Sequence, residues 1–216
     1  RYALFEHRQA GVRIEDKETG AAFAVFFERQ WTASGKRVEM RLGGAVPQEG
    51  EPAIVALPDD DGTGLYASVA CELLARARRS VHAVLYRVSV YPQFDESATS
   101  RLVAGLVRAA GRGVDVRVLI DDCRFYEDSA AANLMSAIYL YQSGVDVRFD
   151  DPEVTTHAKL LVIDGENVIL GSTNWNYYSV EHNVEANVAL LSMPGVAGVF
   201  EQFFEALWAA GRPIAG

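Results

Sequence analysis

The chain has 216 residues, of which 50% are hydrophobic and 23% are charged, and its formal net charge is −9 at pH 7. This length suits one sizeable domain, or one domain with an additional piece. The acidic excess argues against non-specific binding to polyanions, which requires clustered lysine and arginine, and no apolar run in the sequence reaches the length of a membrane span.

The first fifty residues do not begin a regular alternation of strands and helices. Residues 10–15 are predicted to form a strand and residues 18–32 a helix, while residues 33–50, with four glycines, are predicted to form a loop or linker. The chain begins with Arg1 and shows no signal peptide, so we expect it to start inside a longer protein, and its compartment stays undecided.

From residue 50 onward, short apolar runs alternate with stretches of helical periodicity. Turns are predicted at 58–62 and at 164–167, where Pro, Asp, Gly and Asn cluster. The predicted strands are 53–57, 81–88, 114–120, 145–149, 158–163, 168–170 and 187–191, and the predicted helices are 65–78, 96–111, 130–141 and 194–210. This alternation predicts an α/β fold, an α-β-α sandwich in which helices flank a mixed sheet.

Two segments near the two ends of the chain are similar in sequence. Segment 10–31 resembles segment 186–208, and four aromatic residues of the first have aromatic counterparts 177 positions later. The pairs are Phe23 with Phe200, Phe26 with Phe203, Phe27 with Phe204, and Trp31 with Trp208. Coincidence between two amphipathic helices is the plain alternative, but four matches at one offset favour a repeat. In that case the counterpart of His157 lies upstream of Arg1.

The stretch 156–174 places polar residues around an apolar strand. His157 and Lys159 are two residues apart, so in a strand they project from the same face, roughly 7 Å apart. Ser172 and Asn174 follow the next predicted strand and can point to the same place. A neutral imidazole is a competent nucleophile, and lysine and asparagine donors suit the oxygens of a phosphoryl group.

This chemistry needs no metal ion, and the sequence predicts neither a metal nor a cofactor. The two cysteines, Cys71 and Cys123, lack the spacing of a metal site and are interpreted as small buried hydrophobes. The remaining histidines, His7, His82 and His182, are given structural roles.

Five residues match the pattern H-x-K-x4-D-x6-G-S-x-N: His157, Lys159, Asp164, Ser172 and Asn174. Each has an ordinary explanation by itself, such as a snorkelling lysine or an Asp-Gly hairpin turn. Their joint occurrence at this spacing has no such ordinary explanation. The pattern resembles the signature of the phospholipase D superfamily.

The resemblance covers about residues 50–210 and includes Glu185, which matches the acidic residue that follows the family motif. It implies a phospholipase D-like phosphodiesterase domain over 51–211, preceded by a linker at 33–50. Residues 1–32 would be a strand-helix tail resembling the end of a preceding lobe. The chain thus resembles the C-terminal half of a member with two motifs.

The resemblance also implies site roles. His157, Lys159 and Asp164 would form the catalytic set, with His157 either attacking phosphorus or protonating the leaving alcohol. Asp164 would open the turn after the strand and orient or support the site rather than react. Lys159, Ser172 and Asn174 would bind the phosphate. Glu185 would support the site from behind by accepting a hydrogen bond from the His157 ring.

The family combines two motif copies in one active site, so the implied partner is an upstream half of the chain or a second subunit. The leading hypothesis is hydrolysis or exchange of phospholipid head groups through a phosphohistidine, with peripheral membrane contact through an aromatic rim of Trp175, Tyr177 and Tyr178. A dimeric, metal-independent nuclease is the second, since such a rim also stacks on bases. A non-catalytic binding lobe is the third, because the repeat offset places Gln9 where a counterpart of Glu185 is needed.

Overall fold

The computed structural model describes residues 7–31, 50–91, 93–124 and 126–214. Within them, the strands are β1 (His7–Arg8), β2 (Ala53–Asp59), β3 (Ser80–Leu85), β4 (Asp115–Ile120), β5 (Asp146–Phe149), β6 (Thr155–Thr156), β7 (Lys159–Ile163), β8 (Asn167–Gly171), β9 (Glu185–Leu191) and β10 (Arg212–Pro213). The helices there are α1 (Lys17–Trp31), α2 (Leu65–Arg76), α3 (Ala98–Gly111), α4 (Glu127–Gln142), α5 (Tyr177–Glu181) and α6 (Pro194–Ala210).

A mixed sheet of eight strands forms the centre, in the order β10-β5-β4-β3-β7-β8-β9-β2. The pairs β3–β4 and β4–β5 are parallel, and the other neighbours in this sheet are antiparallel. Buried residues of α2, α3 and α4 pack against one face, around Leu161 and Ile163. Residues of α6 cover the other face, around Leu160 and Val162. The predicted α-β-α sandwich with a mixed sheet is therefore confirmed.

Because β7 is covered on both faces, all five of its residues are buried, Lys159 included. Burial of a side chain such as Leu160 or Val162 contributes about 1.5–3 kcal/mol. The turn after β7 is a hairpin turn in which Asp164 and Gly165 both have positive φ, 56° and 64°, as type I′ turns require. This local geometry fixes the register between β7 and β8. The two strands and the turn that joins them were predicted from the sequence.

Several predicted boundaries were wrong for identifiable reasons. Pro58 and Asp59 belong to β2 rather than to a turn, because β2 is an edge strand and a missing N–H on its open side is tolerated. The strand predicted over 81–88 ends at Leu85, and Val88 forms only an isolated bridge with Trp175. The short helix α5 was not predicted at all.

The N-terminal segment packs against the domain that follows it. No strand forms over 10–15; instead the short strand β1 pairs in parallel with β6, and Ala10 and Ile14 contact the core on the α6 side of the sheet. The helix predicted over 18–32 is present as α1, with Phe26 buried. The side chains of Phe27 and Trp31 and nearly all of the predicted linker lie outside the described residues, so the division at 33–50 stays a prediction.

The ends of several strands meet at one edge of the sheet, here called the site edge and defined by Leu85, Ile120, Lys159, Gly171 and Glu185. The parallel strands β3 and β4 end there, while β7 starts there, since Leu85 pairs with Lys159. Further along, β8 ends and β9 starts at the same edge. Of the described helices, none combines the length and the apolar character needed to cross a membrane.

Candidate functional site

The site edge brings together five of the six residues singled out in the sequence. His157 immediately precedes β7 and Lys159 is its first residue, whereas Ser172 and Asn174 lie in the loop after β8. Glu185 is the first residue of β9, and β9 pairs with β8 through Gly171 and Asn187. The hydrogen bonds of the antiparallel ladder, and not proximity in sequence, hold the two loops side by side.

Three hydrogen bonds hold the backbone at Thr156 and His157. Its N–H donates to the Arg8 carbonyl oxygen of β1 at 2.8 Å, and its carbonyl oxygen accepts from Lys159 Nζ at 2.9 Å. The N–H of the preceding Thr156 donates to Asp121 Oδ2 at 2.5 Å. The side chain of His157 is exposed, so the fold fixes the main chain while presenting the imidazole at the surface.

Lys159 is a buried cation, with only 6% of its surface exposed. Burial lowers the pKa of its ammonium group to about 8, and the negative charges of Glu185 and Asp121 oppose that shift. The predicted pairing of a histidine and a lysine at this edge is present. An ammonium group without bulk hydration interacts more strongly with a phosphate than an exposed one does.

Tyr86, which follows β3, lies between the two motif residues and was missed in the sequence. Lys159 Nζ is 4.8 Å from the centre of its ring, a distance that allows a cation–π interaction. The Tyr86 and His157 ring centres are 4.5 Å apart, with their planes at 59°. The predicted strand covers residues 81–88, so no sequence pattern indicated that the chain leaves the sheet after residue 85 and places this ring at the site edge.

Ser172 and Glu185 are linked directly across the two antiparallel strands. Ser172 Oγ donates to Glu185 Oε2 and accepts from Ala186 N at 3.0 Å. Asn183 Nδ2 donates to the other carboxylate oxygen, Glu185 Oε1, at 3.2 Å. Glu185 is buried, and its charge favours the cationic form of Lys159. That it also orients the ring of His157 stays a prediction.

Asn174 is partly buried, and its Oδ1 atom has no hydrogen-bond donor among the described residues. An unsatisfied buried carbonyl oxygen costs about 1–3 kcal/mol. This unpaired atom is an acceptor, and a phosphodiester oxygen also only accepts, so a phosphate would pair with the Nδ2 hydrogens of Asn174 instead. The phosphate-binding role of Asn174 stays a prediction.

Asp164 is not brought together with the other motif residues. It lies after the far end of β7, five residues from Lys159, which is roughly 16 Å along an extended strand. Its carboxylate accepts from the backbone N–H groups of Arg78, Arg79 and Ser80, at 2.6–3.1 Å. Asp164 therefore fastens the β7–β8 turn to the start of β3, where it does not contact the phosphate region.

A buried asparagine from α4 ties the loops of the site together. Asn133 Nδ2 donates to the carbonyl oxygens of Tyr86 and Asp121 at 2.9 and 2.8 Å. Its Oδ1 accepts from Val88 N at 2.9 Å. Asn133 has no exposed surface, so one amide fixes both the Tyr86 loop and the Asp121 loop. Its sequence context, a plain helix, carried no signal of this role.

The aromatic residues after the motif divide into two groups. Trp175 is fully buried, with Nε1 donating to Tyr66 Oη at 2.7 Å, so it belongs to the core and not to the predicted rim. Tyr177 and Tyr178 are exposed. They line a groove of about 790 Å3 together with Tyr91, Gln93, Phe94, Asp95, Glu96, Ser97 and Glu181.

Other charged side chains form pairs of their own. Arg79 donates to the Asp164 carbonyl oxygen at the edge opposite the site edge. His182 pairs with Asp61 at 2.8 Å, and the buried His82 pairs with Glu201 at 2.6 Å.

One group in the described part of the chain has the composition to hold a metal ion: His82, Glu201 and Glu205, with ligand atoms within 4.8 Å of one another. It lies on the α6 side of the sheet. Arg117 already supplies a positive charge to Glu205 at 3.3 Å. This group is separate from the motif residues.

The fold and the site edge define an α/β protein whose strand ends carry a histidine, a buried lysine and a polar loop suited to a phosphate group. The model of the cardiolipin synthase phospholipase D-like domain matches residues 70–208. The chain belongs to the phospholipase D superfamily.

Curated relatives and a solved structure agree with this assignment. The chain is 31% identical over 136 residues to mitochondrial cardiolipin hydrolase of Xenopus tropicalis, covering 63% of this chain and 58% of that protein. It is 31% identical over 159 residues to the Danio rerio protein of the same name, covering 73% and 63% respectively. The chain thus spans about three-fifths of the length of these relatives.

The fold is similar to that of Nuc, a phospholipase D family member from Salmonella typhimurium. The TM-score is 0.65 at 23% identity, and the match covers 77% of this chain and all of that one. At this identity, the likeness concerns the fold.

Proposed function

We propose that this chain is a motif-bearing part of a phospholipase D-type phosphodiesterase, with His157 as a reacting group. The observation that carries the proposal is the convergence of an exposed His157, a buried Lys159 and the Ser172–Asn174 loop at one sheet edge. The names of the curated relatives, cardiolipin hydrolases, agree with a reaction at a phosphodiester.

The reaction has two displacements. In the first, a ring nitrogen of a motif histidine forms a bond to phosphorus while the bond from phosphorus to the leaving alcohol oxygen breaks. The histidine of a second motif copy gives its proton to that oxygen. In the second, this histidine removes a proton from water, the water oxygen bonds to phosphorus, and the nitrogen–phosphorus bond breaks.

Each residue of the site has a task in this scheme. Lys159 supplies positive charge, and Asn174 supplies amide N–H donors, to the phosphoryl oxygens as negative charge develops on them. Ser172, held by Glu185 and Ala186 N, shapes the loop that carries Asn174. The described residues hold one copy of the motif, so the second histidine comes from an upstream half of the chain or from a second subunit.

Among phosphodiesters, a lipid is the substrate class that the surroundings favour over a nucleic acid. The groove that begins three residues after Asn174 exposes Phe94 and Tyr178. Its charged lining residues are Asp95, Glu96 and Glu181, all acidic. Acidic side chains repel a polyanionic strand, whereas apolar rings beside them can contact acyl chains.

The first test combines size in solution with hydrolysis of bis(p-nitrophenyl) phosphate in EDTA, for the wild type and for His157→Ala. An active dimer that loses activity with His157→Ala supports two His157 residues in one site. An inactive monomer that gains activity when the preceding half of the protein is supplied supports a two-motif chain. Activity that persists in folded His157→Ala overturns the proposal.

The substrate class is tested by competition with the same assay. Phosphatidylcholine vesicles and single-stranded DNA are compared at equal concentrations of phosphodiester groups. We expect the vesicles to inhibit hydrolysis of the chromogenic substrate at a lower concentration than the DNA does. The opposite order would favour the nuclease. Binding of either without any turnover, in every assembly state, would favour the non-catalytic lobe.

A further inference from the structure

Two buried carboxyl groups lie side by side behind the motif, at the ends of β4 and β5. Asp121 and Asp150 expose only 2% and 1% of their surfaces. Asp121 Oδ1 accepts from Cys123 N at 2.8 Å, and Asp150 Oδ1 accepts from Asp122 N at 2.9 Å. Neither residue belongs to the motif, and their positions are 36 and 7 residues before His157 in the sequence.

The two carboxyl groups differ in what they contact. Asp121 Oδ2 accepts from the N–H of Thr156, the residue before His157, whereas Asp150 Oδ2 has no partner among the described residues. Burial, together with the neighbouring charge of Asp121, raises the pKa of Asp150 to about 7. Two adjacent buried carboxyl groups do not readily both ionise, and the raised pKa of Asp150 favours a proton on that member of the pair.

The charge of Asp121 also reaches Lys159. The groups that act on the Lys159 ammonium are Glu185, Asp121 and Cys123, with the Tyr86 ring against it. Burial raises the pKa values of the Cys123 thiol and the Tyr86 phenol, so both are neutral near pH 7. Asp121 and Glu185 are therefore the carboxylates that favour the charged form of the buried lysine, against the effect of burial.

We propose that Asp121 is a positioning residue for the motif, holding the backbone before His157 through Thr156 N and sustaining the positive charge of Lys159. It is not a catalytic residue, because it acts through the backbone and through Lys159. The inference rests on the proposed function, since it assigns Asp121 a part in the same reaction. Asp150, whose neutral form is favoured by burial, relieves the charge repulsion within this pair.

A merely structural buried aspartate would affect folding but not the titration of Lys159. The variants Asp121→Asn and Asp150→Asn separate the two roles in the full chain. Asp121→Asn retains an oxygen that can accept from Thr156 N but loses the charge. Asp150→Asn removes a carboxyl group of the same burial and leaves Asp121 charged.

The titration of Lys159 is measured by pH-dependent labelling of its amine with acetic anhydride, followed by peptide mass spectrometry, which needs no enzyme activity. We expect Asp121→Asn to lower the Lys159 midpoint by about half to one pH unit, and Asp150→Asn to leave it in place. An unchanged midpoint in Asp121→Asn, or an equal shift in both variants, overturns the proposal.

Hydrolysis of bis(p-nitrophenyl) phosphate by the active assembly supplies the second readout. The high-pH limb of the rate profile is expected to move with the labelling midpoint in Asp121→Asn, so that the rate at pH 8 falls about two- to fivefold while the rate at pH 7 changes less than about twofold. If the wild type shows no hydrolysis that depends on His157, the proposed function fails while the labelling result still decides the role of Asp121. If the wild type is active and Asp121→Asn matches it, only the present inference fails.

Discussion

The ammonium group of Lys159 lies 4.8 Å from the centre of the Tyr86 ring, and this contact joins a motif residue to one outside the motif. Tyr86 also contacts the ring of His157, so a single aromatic side chain contacts both His157 and Lys159. A cation–π contact that excludes water contributes up to about 2 kcal/mol. It orients Lys159 without neutralising it, which leaves the charge available to a phosphate.

The aromatic face of Tyr86, rather than its hydroxyl group, is expected to support activity. Tyr86→Phe keeps the ring and should retain the rate on bis(p-nitrophenyl) phosphate within about twofold, while Tyr86→Leu should lose about tenfold, as expected from 1–2 kcal/mol. Thermal unfolding of both variants provides the control for folding. A large loss in Tyr86→Phe would show instead that the phenol group takes part in the reaction.

Lys159 should improve function at the expense of stability. Burial lowers its pKa from the usual 10.5 to about 8, so between these pH values the unfolded chain binds more protons than the folded one. Stability of the wild type therefore rises with pH through this window, and the buried charge opposes folding below pH 8.

Accordingly, Lys159→Met should abolish hydrolysis yet raise the free energy of unfolding at pH 7 by up to about 3 kcal/mol. The exposed Lys17 supplies the matched control, since Lys17→Met should change neither quantity. The measurement is urea unfolding at pH 7 and at pH 9.5. A lower stability of Lys159→Met at pH 7 would contradict this prediction.

The pH profile of hydrolysis also depends on Lys159. Activity is expected to fall with rising pH, whereas stability rises. In the proposed reaction Lys159 binds phosphate as a cation, so the rate of the fully assembled enzyme should fall as the pH rises through about 8. Adding Glu185→Gln should move this fall to lower pH, because the carboxylate favours the charged lysine. A high-pH limb that stays in place in Glu185→Gln would exclude Lys159 as its origin.

Asp164 is expected to matter for stability and not for chemistry. Asp164→Ala removes the acceptor for three backbone N–H groups and places alanine at a φ of 56°. We expect it to lower the free energy of unfolding by about 1–3 kcal/mol. Asp164→Asn, which tolerates this backbone conformation, should lose less.

For both Asp164 variants, the rate per folded molecule should equal that of the wild type at a temperature well below unfolding. Circular dichroism gives the folded fraction, and the chromogenic assay gives the rate. A strongly reduced rate in fully folded Asp164→Asn would restore Asp164 to the catalytic set.

Gly171 allows β8 to approach β9 closely, and this close approach positions Ser172. A Cβ atom there would lie 2.2 Å from Asn187 Oδ1 and 2.6 Å from the Ala186 carbonyl oxygen. Gly171→Ala should therefore cost several kcal/mol, on the order of 2–4, and displace the Ser172 loop. Gly20→Ala in α1 is the control, because no atom lies within 4 Å of its added Cβ and helix propensity favours alanine by about 1 kcal/mol. Equal melting temperatures of the two variants would contradict this account.

The local part of the site could be predicted because it depends on short-range geometry. A strand rises about 3.3 Å per residue and alternates its side chains. The Asp164–Gly165 turn therefore predicts a β-hairpin, and the spacing of His157 and Lys159 places both at the start of its first strand. Helix and strand periodicity located most elements around it. Asp164 was placed in the catalytic set in a supporting role, because a motif gives spacing along the chain and does not show that Asp164 lies at the opposite end of β7.

By itself, then, the sequence determined the family, the α/β class, and the hairpin that carries His157, Lys159 and the Ser172 loop. Only the tertiary structure decided that Lys159 is buried, that Trp175 lies in the core, and that Tyr86 and Asp121 reach the motif. These relations depend on strand order and on which residues follow each strand end, over separations of tens of residues. Packing of a whole sheet sets them, and no local pattern of residues encodes that packing.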